Sequence, residues 1–252
     1  MRISQSDEYP TRCGALPDTP VGGSLLTPVV HHRMEGGASL TSLFWEAGPG
    51  WRMAASSVLG GGIGPRSFVL NAQVADGYQR MDPHNHLNEI ATDAGGTGDG
   101  VGMMTAADVT AFGFASDGGV EAIATVGIGR PIWAADRTEL DEARLGSPSY
   151  GYRPGTINIV VALPALLSDS ALVNTVATAT EAKVQAVLEA GYPGTGTASD
   201  ALCVASALPR STTARQSPEP FGGPRSRWGA RTARAVYTAI LNSTFQGHPP
   251  AP

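Results

Sequence analysis

The chain has 252 residues, of which 42% are hydrophobic, so it is long enough and apolar enough to bury a sizeable core. Thirty-two glycines and nineteen prolines predict many turns, while a charged fraction of only 15% excludes a coiled coil and a highly charged disordered chain. The formal net charge of −5 argues against nucleic acid and against an anionic membrane surface as partners.

The first predicted elements follow a proline-containing stretch, residues 1–22, that has no hydrophobic periodicity and is expected to be a loose lead-in. Two β-prone runs, Leu25–Val30 and Ser39–Trp45, predict a hairpin or meander. His31 and His32 lie between them. Because adjacent strand residues point to opposite faces, this pair cannot easily bind one metal ion, and we expect it at the edge of the turn.

A glycine-rich loop, Gly60–Gly64, joins two further β-like runs. Its backbone N–H groups, including those of Gly61 and Gly62, can approach an anion or a developing oxyanion, but a tight structural turn explains the glycines equally well. Neither the P-loop nor the dinucleotide pattern is present. On the next run, Asn71 and Gln73 share one strand face, which is either a surface for an amide-rich ligand or the solvent side of an edge strand.

The stretch from Asp82 to Asp93 predicts a short helix with Asp82 at its N-cap and Pro83 at its first position. His86 and Glu89 share a face of this helix, but their spacing is not that of a zinc motif, and no metal site is expected. His86 is a candidate general acid or base, because an imidazole titrates near neutral pH.

Thr105 follows an apolar β-like run. A hydroxyl in that position is either a nucleophile or a helix cap, and Asp108, three residues on, completes the pattern of a capping box. The charged segment 136–154 is expected on the surface.

The densest pattern in the chain is a predicted strand, helix and loop between Gly155 and Asp200. Thr156–Leu163 is the strand, Ser168 or Asp169 caps the helix, Gly191 lies beyond its end, and Gly194–Thr197 is a threonine–glycine loop. At about 100° per residue, an arc of apolar positions is predicted to face the sheet: Val173, Val176, Ala177, Thr180, Val184, Val187 and Leu188. The opposite side carries small residues, and a second layer is expected to pack closely against it.

Further along, Ala201–Ser206 predicts a buried strand, 209–224 a flexible connector and Ser226–Phe245 a last helix, with a frayed tail at 246–252. Strands interleaved with helices predict a single α/β or α+β domain, residues 23–245, of mixed sheets layered with helices. The two cysteines are too few for a disulfide framework, and no segment is apolar enough to span a bilayer, so a cytoplasmic, soluble protein is expected.

Several long motifs, in this order and covering roughly residues 51–245, resemble the adenosylcobinamide amidohydrolases of corrinoid salvage. They are LGGGIG, LNAQV, HLNEIA, GVGMMTAADV, ATVGIGRPIWAA, PGTINIVV, LVNTVATATEAKVQAVLEAG, GTGTASDA and GPRSRWGARTARAV. The chain departs from the family pattern at Ser199, where threonine is expected, at Ala205-Ser206, where Cys-Pro is expected, and at Tyr237, where histidine is common.

The resemblance implies hydrolysis of the amide that joins aminopropanol to the corrin ring of adenosylcobinamide, which gives adenosylcobyric acid. The corrinoid is then the substrate, no further cofactor is expected, and a homo-oligomer is compatible. A fainter likeness of GMMTAADVTAFGF and the GTGT run to self-processing aminopeptidases and ornithine acetyltransferases implies an αββα arrangement with Thr105 or Thr110 near the nucleophile position.

Amide hydrolysis requires a nucleophile, a proton donor and groups that stabilise the oxyanion. The working hypothesis assigns the catalytic roles to these residues: Thr105, Thr195, Thr197, His86, Glu181 and Lys183. It assigns substrate binding to these: Gly61, Gly62, Asn71, Gln73, Asp82, Asn158 and Asp200. The alternative from another class is a corrinoid carrier without hydrolysis, and a third is a self-processing hydrolase.

Overall fold

The computed structural model describes residues 24–135, 155–208 and 217–244. The predictions for 1–22, 136–154, 246–252 and the first half of 209–224 therefore lie outside the described residues. Within these ranges the chain forms the following elements: β1 (Val29–Glu35), β2 (Ala38–Glu46), β3 (Trp51–Ala55), β4 (Gly62–Pro65), β5 (Phe68–Gln73), α1 (Pro83–Asp93), β6 (Gly100–Thr105), β7 (Gly113–Asp117), β8 (Val120–Val126), β9 (Ile157–Leu163), α2 (Asp169–Glu189), β10 (Ala201–Ala207) and α3 (Arg227–Thr244).

The strands form two mixed sheets. The small sheet has the order β1-β2-β5-β6, with β5 and β6 parallel and the other neighbours antiparallel. The large sheet has the order β4-β3-β10-β9-β8-β7, in which only the β9–β10 pair is parallel. The β9–β10 pair needs a crossover, and α2 supplies it.

Three apolar clusters hold four layers together. One joins α1 to the outer face of the small sheet, one lies between the two sheets, and one joins the large sheet to α2 and α3. Alternation along each strand assigns side chains to these clusters: in β9, Val160 lies in the inter-sheet cluster, whereas Ile159 and Val161 pack towards the helices. The predicted mixed sheets and αββα arrangement are confirmed.

Helix α2 begins where the sequence predicts, because the hydroxyl of Ser168 accepts the backbone N–H of Ala171. The predicted buried face is wrong. Val173 is 59% exposed and Leu188 43% exposed, while the small residues on the other side are buried, namely Thr175, Ala179, Ala182 and Ala186. Small side chains let α3 approach α2 closely. This close packing, and not side-chain hydrophobicity, determines which face of α2 is buried.

The predicted hairpin is present as β1 and β2, but its turn is Gly36-Gly37. Both glycines have positive φ, as a tight two-residue hairpin turn requires. The expectation that His31 and His32 lie at the turn edge is wrong, since both lie within β1 and pair with Ser42 and Thr41.

Candidate active site

The layer between the two sheets is apolar at one end and polar at the other. Inward-facing positions change along four strands, from Val69 to Asn71 and Gln73 on β5, from Met103 to Thr105 on β6, from Ile123 to Thr125 on β8, and from Val160 to Asn158 on β9. The register brings these ends together, because Gln73 lies beside Thr105 and Thr125 lies beside Asn158. We call this region the polar end.

Two buried amides connect the sheets at the polar end. Asn158 Nδ2 donates to the Met104 carbonyl (3.1 Å) and to Asn71 Oδ1 (2.8 Å), and Asn71 Nδ2 donates to Thr125 Oγ1 (2.9 Å). The carbonyl of Met104 can only accept, so it fixes which end of each amide donates. The Met104 carbonyl thus determines which atom donates and which accepts in each hydrogen bond of this network.

The acceptor oxygen of Asn158 is the available group in this network. Asn158 is 1% exposed, and its Oδ1 has no hydrogen-bond partner within the described ranges. A cavity of about 20 Å³ beside Asn71 and Asn158 has room for about one water molecule. Because a buried acceptor without a partner is costly, Asn158 Oδ1 is suited to accept a water or a substrate N–H.

Thr105 lies at the polar end but its hydroxyl already has a structural role. Thr105 Oγ1 accepts the backbone N–H of Ala107 (3.0 Å), and no helix follows, so the capping-box interpretation is wrong. A Cβ on Gly127 would lie 2.8 Å from the Ala107 Cβ, so this turn closes tightly over the end of β8. Thr105 therefore stabilises the turn that borders the polar end.

Asp200 and Lys183 form an ion pair next to the polar end, and we call this pair with its hydrogen-bond partners the hub. Lys183 Nζ donates to Asp200 Oδ2 (2.5 Å), and the two side chains are only 12% and 14% exposed. The same carboxylate accepts from the backbone N–H of Ile157 (2.9 Å) and from both the N–H and the hydroxyl of Thr197. The single lysine of the chain thus ties α2 to the first residue of β9.

A pair of hydroxyls, missed by the sequence-based assignment, adjoins this hub. Thr156 Oγ1 and Ser199 Oγ are 2.8 Å apart, and Thr156 is 6% exposed. Continuing the alternation of β9 by two residues from Asn158 places Thr156 on the inner side. That alternation was readable in the sequence, whereas the proximity of Ser199, 43 residues later, was not.

The Gly194–Thr197 loop is largely occupied by its own contacts. The N–H of Thr195 donates to the Ile132 carbonyl, and Thr195 Oγ1 accepts the N–H of Ala134. The N–H groups of Gly194 and Thr197 also have acceptors. Three of its four N–H groups are therefore committed, which leaves little for an oxyanion.

Two other predicted proton-transfer residues lie away from the polar end. Glu181 is exposed in a groove between α2 and α3, on the helix side of the large sheet. His86 is 4% exposed on α1, on the outer side of the small sheet, with Nδ1 3.0 Å from the Tyr78 hydroxyl and Nε2 3.2 Å from Glu35 Oε2. Burial raises the pKa of Tyr78. The structure does not bring Glu181 or His86 to the amide network.

The remaining predicted binding residues do not lie together in the structure. Gln73 lies at the polar end, where its Oε1 accepts from the N–H and hydroxyl of Thr41. Asp82 lies at the helix N-cap position without a capping hydrogen bond and pairs with Arg80, which lowers the pKa of its carboxyl.

The predicted Gly60–Gly64 loop is only partly a loop, because β4 begins at Gly62 on the edge of the large sheet. Its first residue, Gly60, lies beside the end of the small sheet that is opposite Thr105. A Cβ on Gly60 would come within 1.9 Å of the carbonyl of Gly100, the first residue of β6, whereas Thr105 is the last. Gly61 would approach the Ser57 carbonyl at 2.7 Å, and Gly62 has a φ of 86°. At about 3.3 Å per residue, this loop is roughly 17 Å from Thr105. The tight-turn reading fits its contacts.

Among the described residues, no group of three or more His, Cys, Asp or Glu side chains is arranged to hold a metal ion. Over the same ranges, no helix is both long and apolar enough to cross a membrane.

Comparison with known proteins places the chain in a family. Residues 27–247 match the family model described as adenosylcobinamide amidohydrolase. A protein of that name from Methanosarcina mazei is 30% identical over 192 residues, which cover 74% of this chain and 87% of the relative. Another of that name from Halobacterium salinarum is 43% identical over 91 residues, 36% of each chain.

Two solved structures are similar at 14% sequence identity. A protein from Pyrococcus horikoshii gives a TM-score of 0.45 and covers 86% of this chain and 83% of its own. An L-aminopeptidase D-Ala-esterase/amidase from Ochrobactrum anthropi, described as a variant of the Ntn-hydrolase fold, gives 0.44 and covers 93% and 91%.

Proposed function

Because the chain belongs to the adenosylcobinamide amidohydrolase family, we propose that it hydrolyses the amide between aminopropanol and the corrin ring of adenosylcobinamide. The products are adenosylcobyric acid and aminopropanol, and the acid can re-enter coenzyme B12 synthesis. The reaction takes place at the polar end. The single observation that carries this location is the oriented amide network that ends in a buried acceptor, Asn158 Oδ1.

The chemistry of the polar end suits an amide substrate. Amide hydrolysis needs a hydroxyl or water as nucleophile, a proton donor for the leaving amine and donors that face the oxyanion. An acceptor for the substrate N–H orients the amide, and exclusion of bulk water strengthens each of these interactions. Hydroxyls and carboxamides are concentrated at the polar end, and the apolar inter-sheet cluster lies directly behind them. The reaction balances with water as the only co-reactant, so the proposal requires no cofactor beyond the corrinoid substrate.

The direct test is to incubate the purified protein with adenosylcobinamide and to quantify aminopropanol and adenosylcobyric acid by liquid chromatography and mass spectrometry. Equimolar appearance of both products, growing with time and enzyme concentration, is expected. Binding of the corrinoid without release of aminopropanol would instead support the carrier, and release from a different amide of the corrin ring would contradict the proposed product.

A further inference from the structure

Two side-chain hydroxyls face each other where the polar end meets solvent. Thr156 is buried and Ser199 is exposed, and their oxygens are 2.8 Å apart. We propose that Thr156 is the nucleophile of the amide hydrolysis and that Ser199 is its proton-transfer partner. This inference rests on the proposed function.

The other hydroxyls near the polar end contact backbone N–H groups, an amide or a carboxylate, and none of them is paired with a second hydroxyl within the described ranges. Thr105 Oγ1 accepts from a backbone N–H, as does Thr195 Oγ1, and Thr197 Oγ1 donates to the Asp200 carboxylate. Thr156 Oγ1 pairs with another hydroxyl, and in such a pair either oxygen can donate. A nucleophile needs a lone pair to attack and a partner to take its proton, and this pairing supplies both.

The hub behind the pair holds both partners in place. Asp200 follows Ser199 directly, and its Oδ1 accepts the N–H of Ile157, the residue after Thr156. One carboxylate therefore sets the distance between the two backbone segments that carry the hydroxyls. Lys183 fixes that carboxylate in turn from α2. In this assignment Lys183 and Asp200 are positioning residues.

Asn158 completes the geometry. It lies two residues after Thr156 on the same face of the chain, so their Cα atoms are roughly 7 Å apart. Its Oδ1 accepts the N–H of the scissile amide and directs the adjoining carbonyl carbon towards Thr156. A secondary amide has a single N–H, and Asn158 provides a single open acceptor.

The proposed reaction balances in two steps. Thr156 Oγ attacks the carbonyl carbon and passes its proton to Ser199 Oγ, while Ser199 gives its own proton to the amide nitrogen. The C–N bond breaks, aminopropanol leaves as a neutral amine, and an ester joins the corrin carboxyl group to Thr156. Water then attacks the ester, its proton returns through Ser199 to Thr156 Oγ, and adenosylcobyric acid leaves.

The test uses three variants of the full chain. Thr156→Val removes the hydroxyl at nearly constant shape, Thr156→Ser keeps a hydroxyl, and Thr232→Val is the control. Thr232 is a fully buried threonine of α3, on the helix side of the large sheet, and its hydroxyl has no partner in the described part of the chain. Turnover of adenosylcobinamide should fall about 1,000-fold or more in Thr156→Val. It should persist in Thr156→Ser and be unchanged in Thr232→Val.

A second measurement reports on the ester itself. Turnover in the presence of hydroxylamine should convert part of the corrinoid product to the hydroxamate, in proportion to enzyme, with wild type and with Thr156→Ser. Binding of adenosylcobinamide to Thr156→Val, followed by equilibrium dialysis, should remain within a few-fold of wild type.

The outcomes separate the two proposals. A wild-type protein that releases no aminopropanol contradicts the proposed function. Wild-type turnover together with more than a tenth of that rate in Thr156→Val overturns the nucleophile, and so does turnover that yields no hydroxamate. If Thr156→Val fails to fold, absence of hydroxamate with wild type still overturns the nucleophile. Mass spectrometry of acid-quenched wild type then identifies the residue: a corrinoid ester on the peptide that contains Thr156 supports the proposal, and an ester on another residue overturns it.

Discussion

Lys183 is the single lysine of the chain, and it pairs with Asp200. The ammonium group approaches a carboxylate oxygen in a space that Gly196 keeps free, since a Cβ there would lie 2.2 Å from Asp200 Oδ2 and 2.6 Å from Lys183 Nζ. A compact ammonium fits this space, whereas the planar guanidinium of arginine is wider. At the residue scale, this charge pair joins α2 through Asp200 to the start of β9.

Removal of the lysine charge is therefore expected to destabilise the fold. Lys183→Met leaves the largely buried Asp200 carboxylate without its cation and should lower the free energy of unfolding by about 3 kcal/mol. The double variant Lys183→Met/Asp200→Asn should recover part of that loss, because no charge remains buried. Urea denaturation of the two single variants and of the double variant measures the coupling, and strict additivity of the single changes would contradict it.

An exposed ion pair on the same helix provides the matched control. Arg52 and Asp169 join β3 to the first turn of α2 with side chains 34% and 61% exposed. Arg52→Met should change stability less than Lys183→Met, since water screens an exposed pair. A larger effect from Arg52→Met would argue against the hub.

At the scale of elements, close backbone approach decides how the segment before α3 packs against α2 and α3. A Cβ on Gly222 would meet the Ala171 carbonyl at 2.2 Å, and one on Gly229 would meet the Gly223 carbonyl at 2.1 Å. The described part of the predicted connector, residues 217–224, thus packs against the start of both helices. Composition gave no sign of this, because proline and glycine also mark loose segments.

The substitution Gly229→Ala tests this packing by the sign of its effect. Helix propensity alone predicts a gain of up to about 1 kcal/mol for alanine over glycine. The contact with the Gly223 carbonyl predicts a loss of about 1–3 kcal/mol instead, because backbone atoms must move. Thermal unfolding distinguishes the two. Thr180→Ala, at an exposed position of α2, is the control and should gain a few tenths of a kcal/mol.

The edge of the large sheet is joined to α3 by Asp117 and Arg234, and this pair predicts that the free energy of unfolding depends on pH. The guanidinium donates two hydrogen bonds to the carboxylate and lowers the pKa of Asp117 below its ordinary value of 3.8. A lowered folded-state pKa stabilises the fold above the ordinary value and loses that effect as pH falls through the folded value.

The measurement is the free energy of unfolding below about pH 5, where aspartate begins to titrate. Asp117→Asn should show a shallower loss of stability with falling pH than wild type does. Equal slopes for the two proteins would mean that this ion pair contributes nothing to the acid limb.

At the scale of the whole molecule, local sequence patterns predicted individual elements, whereas the αββα layering was implied by a family likeness. Strand alternation and helix caps were sufficient to predict the strands β9 and β10 and the start of α2, because those signals are local, but they did not predict which face of α2 is buried. The polar end depends on which strands lie beside one another, and Asn71 and Asn158 meet from positions 87 residues apart. The sequence-based hypothesis assigned His86, Glu181 and the Gly60–Gly64 segment to one site. In the structure His86 lies on the outer side of the small sheet, Glu181 on the helix side of the large sheet, and Gly60 at the end of the small sheet opposite Thr105. These separations depend on tertiary packing, which local patterns do not report.

Hydrolysis of adenosylcobinamide at the polar end, and not in the groove between α2 and α3, can be tested directly. The decisive measurement is kcat/KM for aminopropanol release by two variants whose folding is verified by circular dichroism. Asn158→Leu removes the open acceptor and should lower kcat/KM by about 100-fold or more, whereas Glu181→Gln should stay within about twofold of wild type. Near wild-type activity in Asn158→Leu with loss of activity in Glu181→Gln would contradict the account.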